Sequence, residues 1–218
     1  MANNFFNAIQ TNVSNDSTLP TAVYTTTVSK KSILIELDVA NKSSSGVTVT
    51  VQICDASANT GPSGNTRNVN AVATNTTGTL TTVSAHGLSV NDRVTFTNGT
   101  DPSFTDASLP PSGDTTLSET RLYYVQSASG STFTIAESES ATSPLTFDSN
   151  GASVVFAKIY LADIVRDAPV PVGGSLKVIS GQKLVIESLH ASVNDKIFVT
   201  ASAANAVDCI ASVLQDVS

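Results

Sequence analysis

At 218 residues the chain can form one large domain or two small ones, each with a real core. Only 13% of it is charged and 40% is apolar, with serine, threonine and asparagine filling the difference, which suits a rigid β protein better than a disordered tract. A net charge of −7 argues against nucleic acid or an anionic membrane surface as partners.

No apolar run approaches the length of a membrane span. The opening MANNFFNAIQ lacks a charged region followed by an apolar one, so no signal peptide is recognisable and folding in a cytoplasm is expected. Residues 3–10 are the one segment with helical spacing, which would place Phe5, Phe6 and Ile9 on one side. Those residues are the candidate anchor onto a partner. A lid over the chain's own core is the alternative.

Strands are expected over residues 23–28, 33–39 and 47–53. The last (VTVTVQI) alternates cleanly, with Val47, Val49, Val51 and Ile53 on one face, whereas ILIELDV is dense enough to be covered on both faces. Residues 55–70 (DASANTGPSGNTRNVN) show no periodic apolar pattern and read as a linker. A second set of strands follows at 78–84, 93–97, 122–126, 132–136 and 145–147, interrupted by a long loop at 98–120. The outer pattern resumes at 154–160 and 164–165, then runs through residues 168–200, where proline and glycine punctuate strands at 175–179, 184–186 and 197–200. A last strand covers 206–214.

The expected fold is therefore all-β. An antiparallel β-sandwich of jelly-roll or immunoglobulin-like kind, residues 1–66 with 154–218, carries a small β-barrel, residues 67–153, inserted in a loop where insertions are tolerated. Cys54 and Cys209 lie in strand-like apolar runs. They read as buried reduced thiols, with an inter-sheet disulfide as the alternative. No CxxC pair or His/Cys cluster signals zinc.

One local echo links the two parts. Ser89-Val90-Asn91-Asp92-Arg93-Val94 matches Ser192-Val193-Asn194-Asp195-Lys196-Ile197, each a turn followed by an outward basic residue and a strand, and each preceded by a histidine, His86 or His190. The histidines read as turn residues.

Chemistry-bearing groups are sparse. Asp163, Arg166 and Asp167 lie close in sequence, and Glu36, Asp38 and Glu187 sit on or beside strands, which suits solvated faces better than a paired-carboxylate glycan hydrolase. Two histidines and no tryptophan leave little to build a nucleophile–base pair or a sugar-stacking cleft. No enzyme and no cofactor is expected. Asp101, Asp106 and Asp114, with Phe104, mark the 98–120 loop as the candidate exposed contact, and its carboxylates as the one calcium idea, although their spacing fits no defined calcium loop.

Several motifs in order resemble the small β-sandwich virion proteins of tailed bacteriophages: the Met1-Ala2-Asn3-Asn4-Phe5 opening, Tyr24-Thr25, Pro-Val-Gly-Gly-Ser-Leu at 171–176, Ser-Gly-Gln-Lys-Leu-Val-Ile-Glu at 180–187, and the alternating strand 207–214. The stretch 86–96 (HGLSVNDRVTF), with Tyr123-Tyr124-Val125 and Ser-Thr-Phe-Thr-Ile at 131–135, resembles a small β module of phage tail and adhesion proteins, and the small barrel of ubiquitin-activating enzymes. The resemblance implies a structural role in the virion, assembled in the host cytoplasm. Decoration of the capsid as a homo-oligomer, with a trimer expected, is the leading form. Neck, collar or tail attachment, or a module binding a host receptor or surface glycan, are the alternatives. The implied partners are other virion proteins, either the major capsid protein or neck and tail ring proteins.

Overall fold

The computed structural model describes residues 4–27, 30–55, 66–72, 78–97, 121–147, 154–181, 183–187 and 194–216. Among them are fifteen strands and no helix. The chain divides into two compact units, Met1–Ala58 with Tyr160–Ser218, and Asn59–Ile159.

The first unit is an antiparallel β-sandwich. One sheet has five strands: β1 (Asn4–Gln10), β15 (Val207–Gln215) and β3 (Lys31–Asn41) lie side by side, and β3 then pairs with both β12 (Ser175–Ile179) and β13 (Leu184–Glu187). The other sheet has four, in the order β11 (Leu161–Val170), β4 (Val47–Cys54), β14 (Lys196–Ala201) and β2 (Thr21–Thr25). Period-two alternation drives each inner face into one core: Val47, Val49 and Val51 from β4, Leu34, Leu37 and Val39 from β3, and Val207, Cys209, Ala211 and Val213 from β15 are all buried. β3 departs from the two-sided burial expected of it. A bulge against β15 resets its phase so that both Leu34 and Leu37 face inward, and Ile33 is left half-exposed outside.

The second unit contains β5 (Thr66–Val72), β6 (Leu80–Thr82), β7 (Arg93–Thr97), β8 (Tyr123–Ser129), β9 (Thr132–Ala136) and β10 (Val154–Ile159). Their pairings run β10-β5-β6-β9-β8-β7 and return to β10, closing a small barrel. Leu80, Val94, Phe96, Tyr123, Phe133, Ile135, Phe147 and Phe156 fill it. Phe133 meets Phe156 at 5.1 Å between ring centroids, and Phe96 meets Tyr123 edge-on at 5.7 Å.

Four expectations need correcting. Residues 4–10 form a strand, not a helix, because β15 offers seven residues of unbroken ladder to a segment too short to be a stable helix. The linker read at 55–70 ends in β5, whose low-propensity asparagines are overridden by pairing with β10, Val154 opposite Val69. Both strands belong to the barrel unit, so the unit boundaries lie outside the expected 66/67 and 153/154 positions. Residues 145–147 supply only a single bridge at Phe147.

β4 and β11 are direct partners, with Leu161 opposite Cys54 and the Asp55 N–H donating to the Tyr160 carbonyl at 3.1 Å. The inserted unit thus takes the place of a hairpin loop between them.

Candidate interaction face

The residues with most to offer a partner lie on the outer face of the five-stranded sheet. Because β1 is a strand, the three anchor candidates do not share a side. Phe6 turns inward and packs near Tyr24, with ring centroids 6.0 Å apart, while Phe5 and Ile9 point out, 61% and 63% exposed. Directly opposite residues share a face in an antiparallel ladder. Phe5 faces Leu214, Leu214 faces Ile33, and Ile33 faces Val185, so one apolar row crosses four strands. Val185 at its far end is 57% exposed.

Two further rows run parallel to it. Asn7 sits opposite Ser212, whose hydroxyl donates to the Asn7 Oδ1 at 3.1 Å, and Ser212 sits opposite Glu36. Ile9 sits opposite Ile210, itself 46% exposed, followed by Asp38 and then Lys177. Polarity is therefore graded across the face: the β1 side is apolar and uncharged, and the β12 side carries the ions. Lys177 pairs with Glu36, and this hydrogen bond, followed by the charges of Glu36 and Asp38, raises its pKa. At the start of β15, Lys42 Nζ meets Asp208 Oδ1 at 2.7 Å; that bond, with lesser help from the Asn12 N–H, outweighs burial and holds Asp208 below the usual carboxylate range.

An open groove of about 370 Å³ lies within the sandwich, lined by Ile164, Val178, Ile179 and Leu184 together with Lys177, Ser180 and Lys183. Among the described residues no carboxylate or histidine lines it.

The remaining candidates are structural in their contacts. Asp163 accepts from Arg166 Nε at 2.6 Å and from Gln52 Nε2 at 2.8 Å, and Glu187 lies 3.4 Å from Lys31 Nζ. The Asp167 N–H donates to the Thr50 hydroxyl at 3.1 Å. Among the described residues no three His, Cys, Asp or Glu side chains gather as a metal would need. Asp101, Phe104, Asp106, Asp114 and the whole 98–120 loop lie outside the described residues, as does His190. His86 is buried; its Nδ1 accepts the Leu88 N–H at 2.9 Å and its Nε2 lies 2.9 Å from the Thr132 carbonyl, pinning the turn before β7.

The aspartate of each Ser-Val-Asn-Asp copy accepts a backbone N–H, within its own copy in the first case and from the end of β13 in the second. Asp92 accepts the Ser89 N–H at 2.7 Å and Asp195 accepts the Glu187 N–H at 2.8 Å, each just before a strand. The basic residue that follows does not simply point outward: Arg93 lies 3.4 Å over the Tyr124 ring, and Lys196 lies 5.9 Å from the Phe198 ring. Cys54 and Cys209 are both buried free thiols.

Sequence reasoning missed Asn41. Its buried Nδ2 donates to the carbonyls of Ser45 at 2.8 Å, Val170 at 3.1 Å and Pro171 at 3.2 Å, while its Oδ1 accepts the Ser43 N–H at 2.9 Å. The turn-like NKSSSG was the only signal.

No protein-family model, curated protein or solved structure matches the chain.

Proposed function

We propose that the chain is a non-enzymatic structural protein of a tailed-phage particle. It decorates the capsid as a homo-oligomer through its sandwich and presents the inserted barrel outward. The observation that supports a scaffolding role is the outer face, where one apolar row crosses four paired strands and Phe5, Ile9, Ile210 and Val185 stay exposed. A sheet that already has a filled core on its other side has no internal use for an exposed apolar row, and such a row on a folded protein suits a contact with another protein. The phage part of the reading rests on the sequence motifs at residues 1–5, 171–176, 180–187 and 86–96.

The test is to image source particles with gold-labelled antibody against the protein. Decoration predicts label spread over the icosahedral shell. Label at a single vertex would replace capsid decoration by a collar or tail position. Particles carrying no label would overturn the virion reading altogether.

A further inference from the structure

The strands at the edges of a sheet expose unpaired N–H and C=O groups, and proteins usually guard them with charge, proline, bulges or brevity. Most edges described here follow that rule. β11 carries Asp163, Arg166, Asp167 and Pro169 and two register shifts against β4. β2 is five residues long with a shift against β14, β12 has Lys177 at its centre and a shift against β3, and β13 is four residues ending in Glu187. β1 has none of these devices. Its seven residues, NFFNAIQ, contain no charge and no proline, its ladder to β15 runs without a shift, and among the described residues β15 is its one strand partner.

The side-chain order of β1 also matches its own reverse. An antiparallel copy in full register places Asn4 opposite Gln10, Phe5 opposite Ile9, Phe6 opposite Ala8, and Asn7 opposite Asn7 on the axis. Amide then meets amide, the two exposed apolar residues meet on the outer face, and a large inward ring meets a small side chain. A slip of one residue would set outward positions against inward ones, and a slip of two would shorten the ladder.

We infer that β1 is a homodimer interface: the free edges of two copies pair antiparallel about a two-fold axis at Asn7, joining two five-stranded sheets into one. Phe5 and Ile9 of each copy then cover Ile9 and Phe5 of the other, and the apolar row from Val185 through Ile33 and Leu214 continues into the second molecule. An uncharged strand is complementary to itself, because no like charges meet at the axis. The inference rests on the homo-oligomer part of the proposed function and not on the phage particle. It puts a two-fold pairing in place of the trimer expected from sequence, since a self-complementary edge closes with two copies.

The test is sedimentation of the full chain and of variants whose changes lie at positions already exposed to solvent. The wild type should run at twice the chain mass. Phe5→Lys with Ile9→Lys sets like charges opposite each other, about 5 Å apart across the axis, and should give a monomer with an unchanged circular dichroism spectrum. Phe5→Glu with Ile9→Lys sets opposite charges together instead, and because the two positions lie about 13 Å apart along one strand they cannot pair within a copy, so dimer mass should return. Asn7→Cys should oxidise to a covalent dimer, since residues facing across an antiparallel pair lie within disulfide reach. A wild-type monomer or trimer, a dimer indifferent to the double lysine variant, or a dimer that the charge pair does not restore would each overturn the inference. Particle labelling, which decides the proposed function, is indifferent to all of these.

Discussion

Single buried polar groups fix the turns of this sandwich, and Asn41 shows how much one side chain can hold. It ends β3, and its amide reaches the turn that follows it as well as the Val170 and Pro171 carbonyls that precede β12. Replacing it by alanine removes its donor from the buried Val170 carbonyl, while the Pro171 carbonyl keeps the Gly174 N–H and the Ser45 carbonyl keeps the Ser43 hydroxyl, so Asn41→Ala should lower stability by about 1–3 kcal/mol, read as a lower denaturant midpoint at an unchanged slope. An unchanged midpoint would mean that water replaces the amide without loss. The cysteines give a pH-dependent prediction at the same scale. Burial pushes both thiols up to about 12, from 9.0. The folded state therefore keeps its protons while the unfolded chain releases them, so this contribution is fully present below about pH 9 and is lost as pH rises toward about pH 12. Between about pH 8 and about pH 10.5 the wild type should lose more stability than a Cys54→Ala, Cys209→Ala variant, by on the order of 1 kcal/mol or more. Equal losses would show that the thiols titrate freely in the fold. Tyr24, also raised by burial, is common to both proteins and cancels.

The elements were legible where alternation was clean and unreadable where bulges or neighbours intervened. VTVTVQI announces β4 because threonine and valine take opposite faces of a strand whose ladder to β14 runs unbroken. In β11, register shifts either side of Val165 scramble the alternation, so a ten-residue strand showed in sequence as two residues. β5 depends on β10 and β6 for its strand state, which no local pattern encodes. The candidate interaction face was half legible. Phe5 and Ile9 stand out as apolar residues among asparagines, but a helical reading grouped them with Phe6, which the strand turns to the core. Val185, Ile33 and Leu214 could not be joined to them without the cross-strand register, since the row collects residues from four separate stretches of chain. The strand state of β1 also changes what a truncation means. Removing residues 1–12 deletes a sheet strand and the Phe6 contact with Tyr24, so loss of binding in such a variant would report on folding as much as on contact.

At the scale of the whole chain, the insertion poses an energetic question. An unfolded connection as long as residues 59–159 between β4 and β11 would cost about 3 kcal/mol more to close than a tight turn. The barrel avoids most of that cost by bringing its own ends together: its first and last strands pair antiparallel, with Ala157 opposite Thr66, so the chain enters and leaves side by side. On the sandwich side Asp55 and Tyr160 are joined by a backbone hydrogen bond. Each unit thus holds its own half of the junction, and each has its own filled core. Replacing residues 59–159 by a short glycine–serine turn should leave a sandwich that unfolds cooperatively within about 1 kcal/mol of its stability in the full chain, with slow amide exchange kept in β4 and β14. A sandwich that fails to fold after this excision would show that the barrel is needed to bring β4 and β11 together, and that the two cores form as one cooperative system. A sandwich that folds unaided would place the insert among additions that a stable hairpin tip tolerates, free to vary in sequence without cost to the outer face of the five-stranded sheet.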